Sequence, residues 1–123
     1  MFELSIKTHF SAAHRLVGYN GPCANLHGHN WDVEIFVRGS SLNALGMLVD
    51  FGDIKRVVRE VMAELDHSDL NQLPAFLRDN PTSEHLARYL HGRMSEPLNT
   101  PQHHIYKITV CETPGTTASY WDE

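Results

Sequence analysis

Cysteine is scarce: Cys23 and Cys111 are the only two in 123 residues. That excludes a disulfide-stapled scaffold. Positive charge is also short, with a formal net charge of −5, so nonspecific binding to nucleic acid or to an anionic membrane is not expected. No apolar run approaches the roughly 18–20 residues that cross a bilayer. The opening residues, Met1-Phe2-Glu3-Leu4-Ser5, show no basic region followed by an apolar one, and a cytoplasmic location is expected. Repeats, low-complexity tracts, a glycine-rich phosphate loop and a Ser-His-Asp arrangement are missing too. What remains is a composition typical of soluble globular proteins, 41% hydrophobic and 20% charged. The length predicts a single domain over residues 1–123 with a proper core. Nine histidines, spread along the chain, are the outlier.

The histidines fall into the hydrophobic pattern rather than outside it. Phe2, Leu4, Ile6, Thr8, Phe10, Ala12 and His14 share one parity, which predicts a strand over residues 2–14 with one buried face. Gly18, Asn20, Gly21 and Pro22 break the chain into a loop. A second strand follows, with His27, His29, Trp31, Val33, Ile35 and Val37 on one face. A third, at about 104–112, buries Tyr106, Ile108 and Val110, and Glu112 is next on that parity. Pro114-Gly115 turns into a short final strand around 118–121.

Between the second and third strands the period becomes helical. Asp50 or Gly52-Asp53 can cap a helix carrying Ile54, Val57, Val58, Val61, Met62 and Leu65. Thr82 or Ser83 caps a second helix with Leu86, Leu90 and Met94 on one face, closed by Pro97 and Pro101. The order strand, strand, helix, helix, strand, strand predicts an α+β fold. Its four-stranded antiparallel sheet would carry both helices on one face.

His14, His27, His29 and Glu112 therefore each extend an apolar strand face. Polar groups buried there cost free energy unless paired or ligated. A core histidine satisfied by a hydrogen bond is the plainer account of any one of them. Three converging at the ends of adjacent strands favour a His₃ site of the kind that holds catalytic Zn²⁺ with an open position. Cys23, four residues before His27, can be a fourth ligand, a reactive thiolate beside the metal, or an inert buried thiol; the thiolate is preferred. Asp66-His67 lies past the first helix, where the helix dipole alone would favour a histidine. Its functional reading is a carboxylate orienting an imidazole that acts as general acid or base. Glu112 can reach solvent, or can anchor an amidine-like edge such as that of a guanine or pterin through two parallel N–H bonds. His9, His85, His91, His103 and His104 read as surface or capping residues, and Cys111 as structural.

Five stretches occur together in order: Phe10-Ser11-Ala12-Ala13-His14-Arg15-Leu16, Cys23-x-x-x-His27-Gly28-His29, Leu65-Asp66-His67-x-x-Leu70-Asn71, Pro81-Thr82-Ser83-Glu84 and Glu112-Thr113. Together they resemble the 6-pyruvoyltetrahydropterin synthase family, most closely its bacterial 6-carboxy-5,6,7,8-tetrahydropterin synthase branch, over nearly the whole chain. The resemblance implies a tunnelling fold (T-fold) in which trimers close a barrel and two trimers stack into a homohexamer with sites at subunit interfaces. It implies zinc on His14, His27 and His29, Cys23 as general base, Asp66 and His67 as its partners in proton transfer, and Glu112 on the pterin ring. The implied substrate is 7,8-dihydroneopterin triphosphate. One branch yields 6-carboxytetrahydropterin, acetaldehyde and triphosphate toward 7-deazapurines and queuosine; the other loses only triphosphate and yields 6-pyruvoyltetrahydropterin. The Cys-x-x-x-His-Gly-His spacing favours the first. A zinc-stapled binding module with Cys23 as fourth ligand is the non-enzymatic alternative.

Overall fold

A computed structural model describes residues 1–123. The two long strands run where the alternation placed them, β1 over Phe2–His14 and β2 over His27–Gly39. They pair antiparallel without a slip, from Phe2 opposite Gly39 to His14 opposite His27. Side chains opposite each other in such a pair lie on the same face, a few ångströms apart. The register itself therefore brings His14 and His27 together, with His29 opposite Ala12 beside them.

Helix α1 (Phe51–Leu65) starts at Asp50, whose Oδ1 accepts the Gly52 N–H at 2.8 Å. Its buried residues are Ile54, Val57, Val58, Val61, Met62 and Leu65, the stripe the period predicts. Helix α2 (Ser83–Leu98) starts at Thr82, whose hydroxyl accepts the His85 N–H at 3.1 Å. It runs through Pro97 in its last turn rather than ending before it. Both helices contribute to a core of 24 buried hydrophobic residues shared with the sheet.

The sheet differs from the expected four antiparallel strands. A two-residue strand, β3 (Ser68–Asp69), pairs parallel to Ala12–Ala13 of β1 and makes the sheet five-stranded and mixed. With β4 (His103–Thr113) and β5 (Thr116–Trp121) the strand order is β3-β1-β2-β4-β5. No alternation can announce a strand of two residues; it exists because the chain leaving α1 is tied to β1. A second correction falls on β4. Ile105 pairs with Val37 and Lys107 with Phe36, so one residue, Tyr106, is extra on the β4 side. This bulge moves burial from Tyr106 to Ile105, while Ile108, Val110 and Glu112 keep the expected parity. Tyr106 instead lies under the Arg38 guanidinium, 3.5 Å from ring centre to Cζ. A third correction is His91, expected at the surface. It is buried on α2 and meets the Tyr120 ring edge-on at 5.1 Å.

Candidate functional site

At one end of the β1–β2 pair the apolar face becomes imidazole. Trp31 is fully buried and forms the floor, its ring centre 4.9 Å from that of His14 and 5.3 Å from that of His29. The indole N–H donates to the Ala12 carbonyl at 3.3 Å. The ring centres of His14, His27 and His29 lie 4.6, 5.1 and 4.8 Å apart, all edge-to-face. Glu112 reaches in from the end of β4, with Oε1 at 2.8 Å from His29 Nε2 and 3.2 Å from His14 Nε2.

The tautomers follow from the outer contacts. A carbonyl oxygen only accepts, so His14 Nδ1–H donates to the Pro81 carbonyl (2.8 Å) and His27 Nδ1–H to the Asn25 carbonyl (2.7 Å). In the neutral rings this leaves the Nε2 lone pairs of both histidines available. His29 Nε2 is buried without a well-formed hydrogen bond. Burial chiefly, with the neighbouring His14 and His27, lowers the His29 pKa below its ordinary value, against the opposing pull of Glu112. One potential ligand atom from each of these four residues lies within 4.8 Å of the others. Lone pairs and a carboxylate facing one another are relieved by a cation between them, or by a proton on His29 shared with Glu112. The nitrogen-and-oxygen donor set fits Zn²⁺ or another borderline divalent ion. The residues present thus fit a metal.

The structure brings together all three predicted histidines and adds Glu112 to them, nearer than a role limited to anchoring substrate required. Its second oxygen faces the Ser83 hydroxyl, which donates at 3.4 Å from the first residue of α2. Cys23 is half-buried in a short 3₁₀ turn, Pro22–Ala24, and is not one of the four. Cys111, also half-buried, donates its S–H to the Thr113 carbonyl at 2.9 Å.

Asp66 and His67 do pair, though sequence neighbours usually point apart. His67 is the one non-glycine residue with positive φ, at 58°, a conformation that costs energy and marks a constrained position. The twist turns its ring back and brings Nδ1 to 3.0 Å from Asp66 Oδ2. Both residues are tied to one residue of β1. The Ser11 N–H donates to Asp66 Oδ1 (2.8 Å), and the His67 N–H donates to the Ser11 carbonyl. The imidazole is 83% exposed; residues His67 and His29 both border an open groove of about 440 Å³ whose lining also includes Ser11, Ala13, Gly28 and Asn30, of the parity opposite to the histidines.

The Ser11 N–H, foremost, and His67 hold the Asp66 carboxyl below its ordinary pKa of 3.8. A depressed carboxylate stabilises the fold fully above the unfolded-state pKa, and that contribution fades as pH falls from there through the lower folded value. Wild-type stability is therefore expected to drop more steeply than that of Asp66→Asn below about pH 4, and in parallel with it above pH 5. Thermal melts of both proteins across pH 3 to 7 check this; parallel curves throughout would refute it.

The model of the family described as 6-pyruvoyl tetrahydropterin synthase matches residues 3–123. A Rickettsia bellii protein named 6-carboxy-5,6,7,8-tetrahydropterin synthase is 30% identical, covering 93% of this chain and 96% of its own. A Drosophila melanogaster 6-pyruvoyl tetrahydrobiopterin synthase is 34% identical over 90% of this chain and 74% of its own. The solved Caenorhabditis elegans 6-pyruvoyl tetrahydropterin synthase superposes with a TM-score of 0.89 at 28% identity, covering 99% of this chain and 96% of that one. A match across the whole domain, in sequence and in fold, places this chain in the 6-pyruvoyl tetrahydropterin synthase family.

Proposed function

We propose that this protein is a zinc-dependent lyase acting on 7,8-dihydroneopterin triphosphate. With one water consumed, it releases acetaldehyde and triphosphate and leaves 6-carboxy-5,6,7,8-tetrahydropterin, an early intermediate toward 7-deazapurines and queuosine. The observation that carries this reading is the convergence of His14, His27, His29 and Glu112 on one point over an apolar floor, within a family of pterin synthases. His14, His27 and His29 hold the zinc. When bound, the ion supplies Lewis-acid polarisation of the substrate's side-chain oxygens.

The remaining work falls to side chains. Cys23, outside the ligand group, takes a carbon-bound proton as its thiolate. Asp66 fixes the His67 ring with Nδ1 protonated, which leaves Nε2 directed outward to exchange a proton with the substrate side chain. Glu112 accepts two N–H bonds from the pterin edge through its two carboxylate oxygens, one of which also accepts from the Ser83 hydroxyl. In the cell we place the enzyme in the cytoplasm as a homohexamer of two stacked trimers, with small-molecule substrate as its partner and no nucleic acid or membrane.

Relatives bear both branch names, so the rival within the class is loss of triphosphate alone, giving 6-pyruvoyltetrahydropterin. Mass analysis of the product after incubation with dihydroneopterin triphosphate separates them. Acetaldehyde with a 6-carboxy product is expected; a 6-pyruvoyl product would move the enzyme to the other branch. The non-enzymatic zinc-stapled module needs Cys23 as a ligand, and the grouping of Glu112 rather than Cys23 with the histidines weighs against it.

A further inference from the structure

Just past His14 the chain makes a pattern that belongs to neither a loop nor an ordinary strand. The Arg15 N–H donates to Asn71 Oδ1 (2.8 Å), and Asn71 Nδ2 donates back to the Arg15 carbonyl (3.0 Å). Two residues on, the Val17 N–H donates to Asn80 Oδ1 (2.8 Å), and Asn80 Nδ2 donates to the Val17 carbonyl (3.0 Å). Each asparagine amide thus presents its acceptor and its donor to one residue, as the backbone of a neighbouring strand does. In extended chain, alternate residues direct their N–H groups to opposite edges. Leu16, between the two clamped residues, therefore points its N–H the other way, where it donates to the Cys23 carbonyl at 2.9 Å.

The clamps are themselves anchored. The Asn71 N–H donates to Asp69 Oδ1 (3.1 Å) in the segment that carries β3. Asn80 precedes Pro81, whose carbonyl holds the His14 ring, and its own carbonyl accepts from the Thr82 N–H at the start of α2. The chain of contacts runs from β3 and the α2 lead-in, through Asn71 and Asn80, to residues 15–17, and from Leu16 to Cys23.

We propose that Asn71 and Asn80 are positioning residues that set where the Cys23 thiol stands relative to the histidine group. They act as two detached rungs of sheet along residues 15–17. The proposal rests on the reading of Cys23 as the proton-moving thiol. It leaves the histidines as ligands, because strand pairing places all three and the Pro81 carbonyl that holds His14 belongs to backbone that neither asparagine side chain hydrogen-bonds.

The test uses the full-length, zinc-loaded enzyme with Asn71→Ala and Asn80→Ala made singly. Three quantities are read: zinc content, steady-state kinetics, and the access of Cys23 to a thiol reagent in a Cys111→Ser background. The expected result is unchanged zinc, a KM for dihydroneopterin triphosphate near wild type, and a kcat lower by about tenfold or more, because a small misplacement of a reacting group is costly. Alkylation at pH 9.5, where an ordinary thiol is mostly ionised and the rate reports access, is expected to be about fivefold faster as the turn loosens. In a Cys23→Ala background the same changes should remove no further turnover. Loss of zinc together with a rise in KM would make the asparagines merely structural and overturn the proposal, as would unchanged thiol access. If Cys23→Ala alone keeps full turnover, the reading of Cys23 falls, while thiol access still decides the clamp. Should an alanine variant fail to fold, Asn71→Asp and Asn80→Asp keep the shape and one of the two bonds, and the same measurements apply.

Discussion

Replacing Cys23 by alanine is expected to leave a folded, zinc-loaded protein whose turnover of dihydroneopterin triphosphate falls by about 10²–10⁴-fold, the usual contribution of a positioned acid or base. Metal retention is expected because the zinc is assigned to His14, His27 and His29, and Cys23 is not among the residues whose potential ligand atoms converge. Fold retention is expected because Cys23 sits half-buried in a short turn and lies outside the hydrophobic core. Zinc by atomic absorption, thermal unfolding and acetaldehyde release, all on one preparation, give the answer. Wild-type turnover would remove Cys23 from the mechanism. Loss of zinc with early melting would instead make it a ligand and revive the stapled-module reading.

The second large effect is expected from His14→Ala. This ring is 2% exposed and packs edge-on against Trp31 and both other histidines. Its loss leaves a void and strips the Pro81 carbonyl of its donor. Together these should cost about 3 kcal/mol, or roughly 10 °C in melting temperature for a domain of this size, even without metal. Zinc content and activity should fall to background. His27→Ala is the control. Its partner carbonyl, that of Asn25, is exposed and can turn to water. It should lose zinc as His14→Ala does, while the metal-free protein melts close to metal-free wild type. Equal destabilisation of the two apo variants, or full zinc in either, would contradict the assignment.

How much of this was readable beforehand depends on the range of the interactions. Phe10, Ala12 and His14, and likewise Trp31, His29 and His27, announce one continuous face, because side-chain parity is a local property of a strand. The apolar stripes of α1 and the Thr82 cap are local in the same sense. The sequence offered Asp66 as the group that orients His67, but not the geometry that lets neighbours meet, since this needs the positive φ that Ser11, 55 residues from Asp66, helps to hold. The bulge at Tyr106 was hidden because Ile105 and Tyr106 are both plausible core residues, and only the partner strand decides between them. Glu112 was expected on the buried parity, but its contact with the histidines depends on where β4 lies against β2. Asn80 carries no signal of its own, and Asn71, though part of a recognisable stretch, gives no hint of its role: an asparagine in a loop is ordinary until one sees which backbone it mirrors.

The unslipped pairing of β1 with β2 also fixes where this chain can change length. The cluster exists because His14 falls opposite His27, so one residue added or removed within either strand would turn its histidines to the opposite face, away from Trp31. The stretch 18–21 lies between the clamped residues and the Cys23 turn, and makes no such demand. Between these two strands, growth or shortening should therefore be confined to that short stretch of loop, whereas the spans from Phe2 to His14 and from His27 to Gly39 act as a ruler whose marks cannot move.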